Sequence, residues 1–358
     1  MYPLAEGLFA PRNQWYIAAW SKDVTRKPME RWLLDEPVAF YRTESGKAVA
    51  VEGRCPHRGF PLGESRVVGD NVECGYHGMT FSPEGTCVRI PSQDAIPKAC
   101  KIKSYPVAER WKWIWIWMGA PELADESMIP DHFAMGLTDP QFNCAGDSYH
   151  PVPGRYMLMH DNLFDLTHIG YLHRDTFGNG GGGADQVPEQ FTGPNWIESR
   201  FEQKNIECPP FFAHLMRTSG RIDRTFGLRL YMPCLHYGAD TLRRPSEDGN
   251  GEMIGSLRIY HAVTPETRTT AHYFFAAGQN WAPDEPELAQ GIVEGLQPAL
   301  KEDMSATAYI EKMIEKSGGR LNEVLLRADS VCVNGRRFFE KFIREETEQS
   351  AKIKQIAV

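Results

Sequence analysis

No run in this 358-residue chain approaches the roughly 18 uninterrupted apolar residues that a membrane-spanning helix needs, and Met1–Ala10 holds no basic region followed by an apolar core. A spanning helix and a secretion signal are therefore not expected. Blocks of five or six basic residues are also missing, and 39 basic against 47 acidic side chains leave a formal charge of −8, so the electrostatic footprint for nucleic acid or an anionic membrane is absent. Eight cysteines are too few for a disulfide scaffold at this length, and a reducing cytoplasm, the expected location, would keep them as thiols. What remains is a chain with 42% hydrophobic residues, enough to bury a core in each of two domains at about 150 residues per domain.

Residues 1 to about 120 carry short strand-like runs at Trp32 to Tyr41, Ala48 to Glu52 and Trp111 to Met118. In the last, Trp111, Trp113, Trp115 and Trp117 alternate with Lys112, Ile114 and Ile116, the period of a strand with one tryptophan face in the core. Glycines and prolines between Pro56 and Gly85 punctuate the region as turns, which gives a small all-β domain with functional loops. A Pro-rich stretch from Pro121 to Pro153 leads to a helical pattern at Arg155 to Leu172. Strand-like runs follow at Phe226 to Met232, Met253 to Val263 and Thr269 to Ala276, then a long helical pattern from Glu285 to Glu315 interrupted at Pro298, and a charged helical tail from Arg336 to Ile356. Strands with segregated helices predict an α+β second domain, with domains at 1–145 and 146–358. The segment Gly178 to Gly183 matches G-x-G-x-x-G but neither follows a strand nor opens a helix, so it reads as a loop and not as a nicotinamide site.

Cys55-Pro56-His57 and Cys74-Gly75-Tyr76-His77 pair one thiolate with one imidazole in each of two loops, with residues 58–73 between them. Two thiolates and two imidazoles let each iron of a two-iron cluster take one ligand type, as in a Rieske centre. Tetrahedral zinc accepts the same ligands, but its usual spacing groups Cys with Cys and His with His. Cys55-Pro56-His57-Arg58-Gly59 and Cys74-Gly75-Tyr76-His77-Gly78 resemble the two cluster-binding loops of the Rieske [2Fe–2S] family. The resemblance implies Cys55 and Cys74 on one iron and His57 and His77 on the other.

A second constellation, Asn162, Asp165, His168 and His173, lies in one helical segment. On a straight helix His168 and His173 diverge by about 140°, so facing one ion requires the helix to distort or end between them; Gly170 is the candidate break. Two histidines and a carboxylate from elsewhere in the chain would make the facial triad of non-heme Fe(II) oxygenases.

From Asn13 to Ile17, through the Rieske loops and Asn162 to His168, to His261 to Thr267, His272 to Phe275 and Lys301 to Asp303, the chain resembles the oxygenase subunit of Rieske non-heme iron oxygenases. Within them it is similar to the vanillate and dicamba O-demethylase group. The resemblance implies an N-terminal all-β Rieske domain, then an α+β catalytic domain with a central antiparallel sheet and flanking helices. It further implies a mononuclear Fe(II) held by His168, His173 and Asp303, with Glu302 an outside alternative for the carboxylate. Asp165 matches the bridging aspartate, accepting hydrogen bonds from His168 and from a Rieske histidine of a neighbouring subunit in a homotrimer. Since no flavin or nicotinamide motif is present, an NAD(P)H-dependent reductase, with or without a ferredoxin, is the expected electron source.

The reaction so implied is O₂-dependent removal of an alkyl group from a small aromatic ether, amide or amine. Ring or other C–H hydroxylation is the alternative, and a non-catalytic electron carrier stands for a different class. His261 resembles a pocket histidine that contacts polar substrate groups, with a satisfied core histidine as the alternative. Arg224, Arg229 and Arg258 could pair a carboxylate, but strand arginines usually face solvent and none is selected.

Overall fold

Trp113–Trp117 forms a strand with the sequence WIWIW, every residue of which is buried. Both faces are therefore core, not the tryptophan face alone. It pairs antiparallel with Trp15–Trp20 on one side and Val107–Arg110 on the other. Trp111 sits in the turn before the strand, at φ 53°, with its ring edge-on to Trp113. Truncating any of the three strand tryptophans to alanine would cost about 3–5 kcal/mol.

The computed structural model describes residues 2–176, 188–247 and 251–356. The Gly178 to Gly183 segment lies outside these described residues. Two compact units emerge: Ala10–Ile129 with Thr264–Arg268, and Met1–Phe9 with Pro130–Val263 and Thr269–Val358. The division is not a single cut, because Thr264–Arg268 belongs to the first unit. There Thr264 Oγ1 donates to the Ile17 carbonyl (2.7 Å) and Pro265 O accepts from Leu34 N (3.0 Å). Leu34 and Asp35, both at positive φ, form the two-residue turn that splits the expected Trp32 to Tyr41 run into Met29–Leu33 and Glu36–Arg42.

The first unit is all-β. Besides the tryptophan sheet it holds Met29–Leu33, Glu36–Arg42, Ala48–Glu52 and Ser104–Tyr105 as one four-stranded sheet. Arg66–Val68, Asn71–Glu73, Thr80–Phe81 and Cys87–Arg89 form a second.

In the second unit, seven antiparallel strands make one sheet: β1 (Asn143–Val152), β2 (Glu189–Thr192), β3 (Trp196–Glu207), β4 (Arg221–Tyr231), β5 (Leu235–Arg243), β6 (Met253–Pro265) and β7 (Ala271–Gln279). Their spatial order is β1-β7-β6-β5-β4-β3-β2. Helices α1 (Tyr156–Phe164), α2 (Gln297–Lys316) and α3 (Ser330–Ile356) accompany the sheet. The expected break at Pro298 falls instead at Leu296, which separates Glu287–Gly295 from α2 and leaves Pro298 in the first turn, where its missing N–H costs nothing. A buried ion pair joins α1 to α2: Arg155, at the N-cap of α1, donates from Nε (2.6 Å) and Nη2 (2.5 Å) to the two carboxylate oxygens of Glu311. No helix among the described residues is long and apolar enough to cross a membrane.

Candidate metal centres and a substrate cavity

The two Cys/His loops of the first unit are folded alike. In one, Cys55 N donates to Phe60 O (2.9 Å) and Gly59 N to Cys55 O (2.9 Å); in the other, Cys74 N donates to Met79 O (2.8 Å) and Gly78 N to Cys74 O (3.0 Å). Gly59 and Gly78 both adopt positive φ, 72° and 71°, which closes each loop over its cysteine and requires glycine there. Cys55 and Cys74 are buried in the core, while His57 and His77 are exposed with ring centroids 4.7 Å apart. Burial, with the neighbouring Cys74 thiol adding to it, pushes the Cys55 thiol up to about 11. Two buried thiols and two exposed imidazoles on paired loops are a donor set that fits a two-iron cluster taking both ligand types.

In the second unit, the helical segment does break before His173, but not at Gly170. α1 ends at Phe164; Asp165 leaves the helical region at φ −93°, ψ 94°, and its Oδ1 caps a 3₁₀ turn, accepting from Thr167 N (2.8 Å) and Oγ1 (2.6 Å). A short helix, Ile169–Leu172, then ends just before His173. Asp165 is thus an N-cap whose geometry makes a break ahead of both histidines, while between them the chain passes from the 3₁₀ turn into the short helix, which runs through Gly170 and ends at Leu172. The contact between Asp165 and His168 runs through the backbone, with His168 Nδ1 donating to the Asp165 carbonyl.

These turns bring His168 and His173 to one point, with ring centroids 5.0 Å apart, where α2 presents Asp303. Asp303 Oδ1 lies 3.0 Å from His173 Nε2 and 3.4 Å from His168 Nε2. Glu302 stands outside this set, accepting from His173 Nδ1 at 2.7 Å. Each Nδ1 therefore spends its hydrogen on an oxygen acceptor, which leaves each Nε2 with its lone pair turned towards the carboxylate. Two imidazole lone pairs and a carboxylate converging without a hydrogen for each is an arrangement that a cation resolves. The spacing suits it too, since ligands about 2.1 Å from one ion at right angles lie about 3 Å apart.

Burial alone would raise the Asp303 pKa, but with a hydrogen on each Nε2, the alternative that a cation displaces, the two imidazoles outweigh it and hold the carboxyl well below the usual carboxylate range. Burial likewise opposes the charged form of His173, and Asp303 and Glu302 overcome it, raising the His173 pKa. Asn162 Nδ2 donates to Asp303 Oδ1 (2.9 Å) and fixes its rotamer.

The three donor residues line one wall of a cavity of about 250 Å³. Its floor is one face of the sheet, where alternation along each strand turns Phe226 and Leu228 of β4, Leu257, Ile259 and His261 of β6, and Phe275 of β7 inward. His261 is 8% exposed, and its Nδ1 lies 2.5 Å from the Tyr273 hydroxyl, which holds the ring plane. Burial lowers its pKa to about 4, so the imidazole is neutral at physiological pH.

Two further lining residues were not selected from the sequence. Arg224 of β4 and Asp240 of β5 form an ion pair in the cavity wall, whereas Arg229 pairs with Glu198 and Arg258 stacks between Phe142 and Tyr237. Burial raises the Asp240 pKa, with Arg224 opposing it. The signal available in the sequence was the alternation Arg224, Phe226, Leu228, which puts the arginine on the same face as two apolar residues.

Two family profiles match the chain: the Rieske [2Fe–2S] domain over residues 14–106, and the vanillate O-demethylase oxygenase C-terminal domain over residues 152–345. It is 33% identical over 343 residues to the iron-sulfur subunit of the toluene-4-sulfonate monooxygenase system of Comamonas testosteroni, covering 94% of this chain and 97% of that one. To the oxygenase component of dicamba O-demethylase from Stenotrophomonas maltophilia it is 33% identical over 345 residues, covering 92% and 97%. The crystal structure of dicamba monooxygenase bound to 3,6-dichlorosalicylic acid matches with a TM-score of 0.83 at 31% identity, covering 94% of this chain and 98% of that one.

Proposed function

Because this chain belongs to the Rieske non-heme iron oxygenases of the vanillate O-demethylase group, as the oxygenase component with a [2Fe–2S] cluster and a mononuclear iron, we propose that it dealkylates a small aromatic compound at oxygen or nitrogen. The supporting observation is the cavity itself, in which a His–His–Asp donor set faces apolar and aromatic walls of a size suited to one small ring. Cys55, His57, Cys74 and His77 would hold the cluster, and His168, His173 and Asp303 the single iron, with Glu302 and the Asp165 carbonyl orienting the two imidazoles. Together the bound metals supply the electrons and the activation of O₂.

The chain's own residues bind and orient. Phe226, Phe275 and Ile259 exclude water and seat the ring, while neutral His261, held by Tyr273, orients a polar substituent so that the alkyl group meets the donor set. For a methyl ether the balance is one O₂, two electrons and two protons to one water and a hemiacetal, which collapses to a phenol and formaldehyde. Loss of an N-alkyl group follows the analogous carbinolamine. An NAD(P)H-dependent reductase, directly or through a ferredoxin, would supply the electrons. We further read the chain as a cytoplasmic homotrimer in which the Asp165 carboxylate accepts a hydrogen bond from a Rieske histidine of the neighbouring subunit.

The test uses reconstituted enzyme, reductase, NADH and O₂ against a panel of aromatic ethers and N-alkyl amides and amines. Aldehyde should appear in proportion to NADH and O₂ consumed. Asp303→Ala should keep the Rieske spectrum, fall from three irons per chain to two, and lose turnover. Labelled oxygen on a ring carbon, with the alkyl group still attached, would replace dealkylation by ring hydroxylation.

A further inference from the structure

Among the described residues the cavity contains, apart from its metal-facing side chains, one pair of formal charges, and their arrangement bears on what the cavity admits. Arg224 stands opposite Leu242 in the β4–β5 ladder, which makes Asp240 its diagonal neighbour on the same face. Nε lies 3.0 and 3.1 Å from the two Asp240 oxygens, and Nη2 lies 2.6 Å from Oδ2. That edge of the guanidinium is spent. Nη1 is left with a weak contact to Gln203 Oε1 at 3.4 Å. The rings of Phe212 and Phe226, 4.8 and 5.8 Å from the guanidinium carbon, hold the group in place, and Asp240 is 5% exposed.

An unpaired arginine in such a wall would be a receptor for carboxylates or sulfonates. This one is already neutralised by a buried carboxylate. A substrate anion drawn to Nη1 would stand close to Asp240 among apolar walls, where like charges are poorly screened and the repulsion opposes binding. A neutral carbonyl oxygen meets no such repulsion and can accept the Nη1 hydrogen. We infer that the Arg224–Asp240 pair is a specificity device that selects neutral aromatic substrates bearing an amide or ester carbonyl and disfavours aromatic carboxylates and sulfonates.

The inference rests on reading this cavity as the substrate site, so binding and turnover are measured separately. Para-methoxybenzamide and para-methoxybenzoate, equal in shape and different in charge, are titrated into the metal-loaded full chain at neutral pH. The amide should bind about tenfold or more tightly than the benzoate. Asp240→Asn keeps the side-chain shape while freeing the Arg224 charge, and should shift the ratio of the two affinities towards the benzoate by about tenfold or more, with the Rieske spectrum reporting the fold.

Equal or tighter binding of benzoate by the wild type, binding of neither compound, or an unchanged ratio in folded Asp240→Asn would overturn the inference. The wild-type ratio decides alone if that variant does not fold. Preference for the amide without aldehyde release would keep the inference and remove the dealkylation reading; aldehyde from benzoate at equal or better affinity would do the reverse.

Discussion

His173 donates from Nδ1 to Glu302 Oε2 at 2.7 Å, while the Nε2 of the same ring lies 3.0 Å from Asp303 Oδ1. Adjacent acidic residues on α2 thus play different parts, the first orienting the imidazole from behind and the second facing the point where an ion would sit. A carboxylate behind a ligating histidine fixes its tautomer and makes it a better donor, and such contacts are typically worth 10–100-fold in metal affinity. Glu302→Gln should therefore weaken iron binding by about 10–100-fold with the cluster content unchanged. Titration of the iron-stripped chain with Fe(II), following turnover and bound metal, checks this. Wild-type affinity in the variant would make Glu302 a mere surface acid.

Asp165 offers a test of the proposed communication between subunits. Its Oδ1 is occupied by Thr167, through both N–H and hydroxyl, so the capping role survives replacement by asparagine, whose amide oxygen accepts the same backbone hydrogen bond. The negative charge does not survive. Asp165→Asn should fold, bind both metal centres and assemble as the wild type does, yet pass electrons from reduced cluster to mononuclear iron at least about tenfold more slowly, since a hydrogen bond to a charged acceptor is lost. Single-turnover mixing of the reduced enzyme with substrate and O₂ gives that rate. Unimpaired turnover by a monomeric form would remove both the bridge and the trimer.

How far the sequence led depends on where each partner lies along the chain. Cys55 and His57, like Cys74 and His77, are neighbours within single loops, so their chemistry is local and the motif alone carried it to the [2Fe–2S] reading. Asp303 comes from a helix far along the chain, and only the whole-chain resemblance pointed to it. The helix was expected to distort or end between His168 and His173, with Gly170 as the candidate; it runs through Gly170 and ends at Leu172, while a separate break capped by Asp165 precedes both histidines. In the tryptophan run, alternation suggested one buried face because Ile114 and Ile116 read as its opposite; a strand between two neighbours inside a core buries both. Arg224 shows the remaining limit. Whether a strand arginine faces solvent or a cavity depends on the register of β3, β4 and β5, and its partner Asp240 is set by that register and not by spacing.

The Arg155–Glu311 pair predicts how firmly the iron site depends on the scaffold behind it. Both side chains are about 5% exposed, and Arg155 meets the carboxylate with its backbone N–H (3.0 Å) as well as with Nε and Nη2. It thereby ties the start of α1, which leads to His168 and His173, to α2, which carries Asp303. A buried pair of this kind contributes little compared with a well-packed apolar pair, but removing one partner leaves the other charge stranded, at a cost of about 3–5 kcal/mol. Arg155→Met should accordingly lower the stability of the iron-free chain by about that amount and also weaken Fe(II) binding, because the helices that converge on the site lose their tie. Arg155→Met with Glu311→Leu should recover most of the stability, since no charge is left unpaired. Chemical denaturation of the three proteins measures the first effect and Fe(II) titration the second. If the double variant is as unstable as the single one, the cost lies in lost packing and not in a stranded carboxylate.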